Sequence, residues 1–278
     1  MSALLDVEDV RIDFTTRRGV VHAVRGVSFS IDQGESVAMV GASGSGKTVL
    51  GRSLLGLVEE PGEVSGSIIF NGQQVVGSSE SHLQPIRGLG MAMVFQDALD
   101  GLNPVYSIGS HLMEILTIRM KKSRSEARHE ALRLMEEVGI PNAKSRFHDY
   151  PHQFSGGMRQ RICIALAIGL RPKILIADEP TTALDVTVQA GILDLIRRLQ
   201  DDYGMGLIFI THDLAVAQQI SERVLVMYNG EIVEQGETRE VFQHPKHRYT
   251  RALLASHPAH ATSWRDLQPM PESFVLEA

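Results

Sequence analysis

The run Gly41-Ala42-Ser43-Gly44-Ser45-Gly46-Lys47-Thr48 has the residue types and spacing needed to grip a nucleoside triphosphate. Its glycines let backbone N–H groups turn inward without a Cβ in the way, making a nest for phosphate oxygens. The apolar run Ser36-Val37-Ala38-Met39-Val40 precedes it as a short strand, and a helix over 49–58 is expected to follow. A helix opening at Lys47 adds the positive end of its dipole. Lys47 is expected to reach the β- and γ-phosphates, and the Thr48 hydroxyl to ligate Mg²⁺. Kinases, GTPases and motor ATPases all use such a loop, so it specifies the fuel and leaves the task open.

Further residues could complete that chemistry. Ile174-Leu175-Ile176-Ala177-Asp178-Glu179 is an apolar strand ending in two carboxylates. In a nucleotide site Asp178 would hold the Mg²⁺ shell, and Glu179 would take a proton from the attacking water. A positioned general base is worth ~10²–10⁴-fold in rate. The plainer alternative is a solvated acidic strand end. Gln96 also ends a strand, where its amide could touch Mg²⁺ and the attacking water, although alone it reads equally as a surface glutamine. His212 follows an apolar strand and could hydrogen-bond the γ-phosphate and orient Glu179, though a lone histidine in a turn is usually structural. In Phe154-Ser155-Gly156-Gly157-Met158, two glycines stand at a helix start, where they reduce stability. They make sense if bare amides and the Ser155 hydroxyl must approach an anion at a helix N-terminus. A second phosphate grip suggests a nucleotide held between two copies of the domain. The alternative is an ordinary glycine-rich N-cap.

These residues need elements to place them. Residues 4–10 and 21–31 read as strands. Ser67–Phe70 and Gln73–Val76 flank Asn71-Gly72 as a hairpin, and Val224–Tyr228 and Glu231–Gln235 flank Asn229-Gly230 as another. Met91–Phe95, Lys173–Ala177 and Leu207–Ile210 read as buried strands. Between Ile108 and Gly139 the apolar period lengthens to that of helices, with a capping box at Ser123 and Glu126. Helices are also expected over Ser155–Ile168 and Val186–Gln200. Strands alternating with helices imply a mostly parallel core sheet. The prolines at 258, 269 and 271 suggest a loosely ordered tail.

Bulk properties narrow the class. The chain of 278 residues is 43% hydrophobic and 22% charged, ordinary for a soluble globular protein with a substantial core. A net charge of −6 argues against a nucleic-acid surface covering the whole protein. A single cysteine, Cys163, makes an intrachain disulfide impossible and a cysteine-held metal site improbable, which fits a reducing cytoplasm. No basic-then-apolar signal opens the chain, and no run of eighteen apolar residues suits a bilayer span. Work at a membrane would need another protein's helices.

Taken in order, these motifs resemble those of the ATP-binding-cassette (ABC) ATPases over about residues 4–257. Walker A is Gly41–Thr48, the Q-loop residue Gln96, the signature Phe154–Met158 and Walker B Ile174–Asp178, followed by Glu179. The D-loop is Ala183-Leu184-Asp185, and the switch histidine His212. The resemblance implies an α/β fold, a P-loop ABC ATPase: a RecA-like core with an antiparallel β subdomain and an inserted α-helical subdomain. The ATP-binding domain would span 1–258, with the helical subdomain at about 97–170 and a tail at 259–278. The resemblance also implies a head-to-tail dimer, each ATP lying between one subunit's phosphate loop and the other's Ser155-Gly156-Gly157. Asp185 is placed among the nucleotide-binding residues, and Phe14 where the family stacks an aromatic ring on adenine. Phe154 and Met158 stand where the commonest signature has Leu and Gln, while the phosphate-contacting Ser155 and Gly157 remain.

Several segments look like the oligopeptide and dipeptide importer branch. These are Val94-Phe95-Gln96-Asp97 with Leu102-Asn103-Pro104, Tyr150–Met158, Pro180–Gln189, and His244-Pro245 with His247 and Tyr249-Thr250-Arg251-Ala252-Leu253-Leu254. That branch implies an ATPase coupling hydrolysis of Mg·ATP to peptide uptake at the cytoplasmic face of the inner membrane. Its partners would be two permease subunits, a second ATPase subunit in a homo- or heterodimer, and, indirectly, an extracytoplasmic solute-binding protein. Nickel and metallophore importers share the branch and stay open as cargo. A soluble cassette acting on nucleic acid or ribosomes fits less well: the insert after Gln96 is short, and no basic face stands out, so no nucleic-acid partner is expected. A P-loop kinase or GTPase is disfavoured: no asparagine precedes a lysine, as a guanine-selective motif needs, and the signature helix would be unexplained.

Overall fold

The computed structural model describes residues 3–96, 101–182, 184–256, 271 and 274. Its strands are β1 (Leu5–Thr16), β2 (Gly19–Ile31), β3 (Ser36–Val40), β4 (Gly62–Phe70), β5 (Gln73–Gln74), β6 (Met91–Val94), β7 (Ile174–Asp178), β8 (Gly206–Thr211), β9 (Arg223–Tyr228) and β10 (Glu231–Glu237). Its helices are α1 (Lys47–Ser53), α2 (Glu80–Ile86), α3 (Ile108–Ile118), α4 (Arg124–Glu137), α5 (Ala143–Arg146), α6 (Gly156–Ile168), α7 (Val186–Tyr203), α8 (Leu214–Ile220), α9 (Thr238–Gln243) and α10 (Arg248–Ala255). The chain divides into two compact units, one of Met1–Gln84 with Gly206–Ala278, the other of Pro85–Met205.

The first unit holds two sheets. One is antiparallel, in the order β2-β1-β4-β5. In the other, β3 runs parallel to both β8 and β9, and β10 returns antiparallel to β9. Every residue of β3 and β8 is buried, as expected of parallel strands covered on both faces. Both Asn-Gly hairpins form. Asn71 and Gly72 have φ of 48° and 78°, and Asn229 and Gly230 have 49° and 81°, the left-handed pair that a tight two-residue hairpin needs.

Helix α1 begins at Lys47 as expected but is shorter than 49–58. Gly56 turns left-handed at φ 62°; its N–H donates to Ser53 O, and that of Leu57 to Arg52 O. Those bonds satisfy the last carbonyls and stop the helix.

The second unit carries helices α3 to α7. Ser123 accepts from the Glu126 N–H while Glu126 accepts from the Ser123 N–H, so the expected capping box opens α4. Asp185 caps α7, and Gly204 ends it at φ 60°. Ile192, Leu195, Ile196 and Leu199 fall on one buried stripe of α7, each such side chain contributing about 1.5–3 kcal/mol. Strands β6 and β7 pair in parallel within this unit.

The tail expected at 259–278 lies mostly outside the described residues. Phe274 departs from that expectation. It is buried, with its ring centroid 5.6 Å from those of Tyr228 and Tyr249. Three aromatic rings compensate locally for the proline-rich composition. No helix among the described residues is long and apolar enough to cross a membrane.

Candidate active site

In the first unit the phosphate loop is tied to its surroundings by backbone contacts. A Cβ on Gly41 would lie under 3.0 Å from the Met227 carbonyl oxygen, and one on Gly46 equally close to that of Ala23. Only glycine lets the loop lie this near β9 and β2. The Gly230 N–H donates to Ser45 O at 3.1 Å, and Ala42 N–H to the Tyr249 hydroxyl at 2.9 Å. Ser45 is fully buried, whereas Ser43 and Gly44 face solvent. Lys47 is buried, and its Nζ donates to Gly41 O at 2.9 Å, Ala42 O at 2.8 Å and, more weakly, Ser45 Oγ at 3.3 Å. An ammonium held among oxygen acceptors in a loop pinned by two glycines that tolerate no Cβ, Gly41 and Gly46, fits a polyphosphate. Thr48 follows on α1, half-buried.

His212 sits in the same unit, exposed between β8 and α8. Asp213 fixes the turn: its N–H donates to Thr211 Oγ1 at 3.0 Å, and its carboxylate caps α8 through the Ala215 and Val216 N–H groups. Phe14, on β1, is half-buried and pairs across the sheet with Gly62, so its ring lies where a Gly62 Cβ would be.

In the second unit Asp178 ends β7 and is buried, and Glu179 follows in a left-handed conformation at φ 45°. Such a backbone, in a residue other than glycine, costs roughly 1–3 kcal/mol and is typical of functional sites. Thr182 Oγ1 donates to Glu179 Oε2 at 2.8 Å, and Gln96 Nε2 approaches the same oxygen at 3.4 Å. Gln96 and Glu179, 83 positions apart in sequence, therefore meet.

Ser155 caps α6, its Oγ 3.4 Å from the Met158 nitrogen, and Ser155 and Gly156 are exposed. A Cβ on Gly157 would collide with Val188 Cγ1, so the signature helix packs directly on the start of α7. Asp185 accepts from the Val188 N–H at 2.9 Å, which gives it a capping role. Of the D-loop, Leu184 and Asp185 are described and residue 183 is not. Arg146 touches both unusual signature residues: its guanidinium lies over the Phe154 ring, and Nη1 is 3.2 Å from Met158 Sδ.

Sequence reasoning assigned no role to Arg146, Thr182 or Tyr249. Thr182 stands one turn beyond Glu179, a spacing that could have flagged it. Tyr249 lies in a segment whose residue types suggest no chemistry beyond the branch resemblance. No signal in the sequence pointed from Arg146 to Phe154.

A family model described as "ABC transporter" matches residues 24–182, more than half of the chain. The chain belongs to the ABC transporter family. As an ABC ATPase it hydrolyses ATP. A second model, "Oligopeptide/dipeptide transporter, C-terminal region", matches residues 233–274. Among the similar proteins is the oligopeptide transport ATP-binding protein AmiE of Streptococcus pneumoniae, 47% identical over 97% of this chain and 77% of its own length. The dipeptide transport ATP-binding protein DppD of Escherichia coli is 44% identical over 97% of this chain and 83% of its own. The solved ATP-binding cassette MJ0796, a dimer in a post-hydrolysis state bound to ADP and Pi, superposes with a TM-score of 0.75 at 26% identity, covering 84% of this ABC ATPase and 99% of that chain.

Proposed function

We propose that this ABC ATPase is the energising subunit of an importer of di- or oligopeptides, working at the cytoplasmic face of the membrane on partner permeases. The observation that carries this reading is the match of residues 233–274 to the C-terminal region of oligopeptide and dipeptide transporters. Relatives named for those cargoes support it across nearly the whole chain.

The loop around Lys47 holds the triphosphate, Lys47 neutralising charge on the β- and γ-phosphates. Thr48, Gln96 and Asp178 are the residues that would hold Mg²⁺. Once bound, the ion neutralises developing charge on the transferred phosphoryl group. No cluster of three His, Cys, Asp or Glu side chains suited to a metal exists among the described residues. Glu179 accepts a proton as the water oxygen attacks the γ-phosphorus and the bond to ADP breaks. Thr182 holds one Glu179 oxygen, which orients the other for that task. His212 hydrogen-bonds the γ-phosphate. Phe14 stacks on the adenine. The exposed Ser155 and Gly156, with Gly157 and Asp185, grip a nucleotide bound by a second ATPase subunit, and the closed dimer drives the permeases.

The test is uptake by cells carrying wild-type or Glu179→Gln protein. Labelled dipeptide or oligopeptide uptake should vanish in the variant, while the purified variant still binds ATP and accumulates as a dimer. Undiminished peptide uptake together with lost nickel-chelate uptake would refute the cargo.

A further inference from the structure

The bond between Ala42 N–H and the Tyr249 hydroxyl joins the phosphate loop to a residue 207 positions away. Tyr249 is fully buried, with its ring 4.4 Å from that of Tyr228 and 5.6 Å from that of Phe274. The helix that carries it is anchored too. The Glu234 carboxylate on β10 accepts from Lys246 N–H at 2.7 Å and His247 N–H at 3.0 Å, and His247 Nδ1 accepts from Tyr249 N–H at 3.2 Å. The hydroxyl is thus held by packing and by a hydrogen-bonded helix start.

Ala42 N–H belongs to the same planar peptide as the Gly41 carbonyl, and that carbonyl accepts from Lys47 Nζ at 2.9 Å. Tyr249 and Lys47 therefore hold opposite edges of one rigid unit. Glycine on one side of this peptide leaves it little intrinsic resistance to rotation. The tyrosine supplies that resistance.

We propose that Tyr249 is a positioning residue for the phosphate loop: its hydroxyl fixes the plane of the Gly41–Ala42 peptide, and through it the Lys47 ammonium. The C-terminal segment thereby sets affinity for the triphosphate. This rests on reading the loop as the ATP site.

The experiment compares full-length wild type with Tyr249→Phe, which keeps the ring and removes the hydroxyl. Losing the acceptor of a partly buried amide should weaken ATP binding by about tenfold. KM for ATP should rise with kcat unchanged, since the loop's preorganisation serves ground and transition states alike. Wild-type affinity in the variant would overturn the proposal. Lys47→Ala, measured in parallel, separates the two ideas. If it abolishes ATP binding while Tyr249→Phe binds normally, only the tyrosine's role fails. If Lys47→Ala binds normally, the nucleotide site itself is misplaced. Should Tyr249→Phe not fold, hydrogen exchange on the wild type decides. An Ala42 amide protected well beyond those of Ser43 and Gly44 supports the anchor, and equal exchange refutes it.

Discussion

The Arg146 guanidinium lies 4.0 Å from the centroid of the Phe154 ring. The same side chain donates to Asp149 at 3.0 Å and to the Gln153 carbonyl at 2.9 Å, and reaches Met158 Sδ. The two positions at which this signature departs from the family's commonest form share one cation. Arg146→Ala should destabilise the protein by about 1–2 kcal/mol, combining a cation–π contact with a partly exposed ion pair. Urea unfolding should show a lower midpoint at unchanged slope. A double-mutant cycle with Phe154→Leu should give a coupling energy above zero, and additivity would mean that the contact is incidental.

Thr182→Val should separate binding from chemistry. The hydroxyl donates to Glu179 Oε2, the carboxylate assigned to the chemical step. Removing a hydrogen bond to a charged group costs about 1.5–3 kcal/mol. We expect kcat to fall by roughly tenfold or more, with ATP affinity retained. Steady-state ATPase kinetics beside equilibrium nucleotide titration would measure both.

The glycines of the loop should not respond alike. Gly41→Ala forces a Cβ against the Met227 carbonyl, whereas the same substitution at Gly44 meets no atom within 4 Å and is opposed only by its φ of 77°. Gly41→Ala should abolish ATP binding and lower the unfolding midpoint. Gly44→Ala should lose about 1–2 kcal/mol of stability, the left-handed penalty of one residue. Calorimetry of both variants, with and without nucleotide, would rank them.

Acid sensitivity of the helical unit should trace partly to Glu130. Its hydrogen bond from Arg133, 2.8 Å long, holds the carboxyl below its ordinary value of 4.5. Because the folded pKa is the lower one, the stabilisation is fully present above about pH 4.5 and is lost as pH falls through the depressed folded value. Glu130→Gln should narrow the stability difference between pH 6 and pH 3 (on the order of the carboxylate range), measured by thermal unfolding at each pH. An unchanged difference would remove Glu130 from the account.

Much of this fold was legible before any coordinates. Asn-Gly pairs between apolar runs gave both hairpins, because only a left-handed turn joins such strands. Ser123 with Glu126 marked the start of α4, and Ser155 that of α6. The site's residue types were legible too, since phosphate chemistry demands glycine, lysine and paired carboxylates at fixed spacing. What stayed hidden was support from far along the chain. The early end of α1 depends on Gly56 turning left-handed, which apolar periodicity does not encode. The Tyr249 hydroxyl and the Arg146 guanidinium act across folded distance, and neither residue type announces its partner.

The two Asn-Gly turns differ in one respect that matters to anyone engineering this protein. Gly72 has open space beside it, with Asn71 and Gly72 exposed. Gly230 is buried, donates to Ser45 O and accepts from the Arg25 N–H. Hairpin tips are the usual choice for grafting a tag or fluorophore loop. Here the first tip is an open attachment point, while cargo spliced into the second would pull a peg out of the glycine-rich loop.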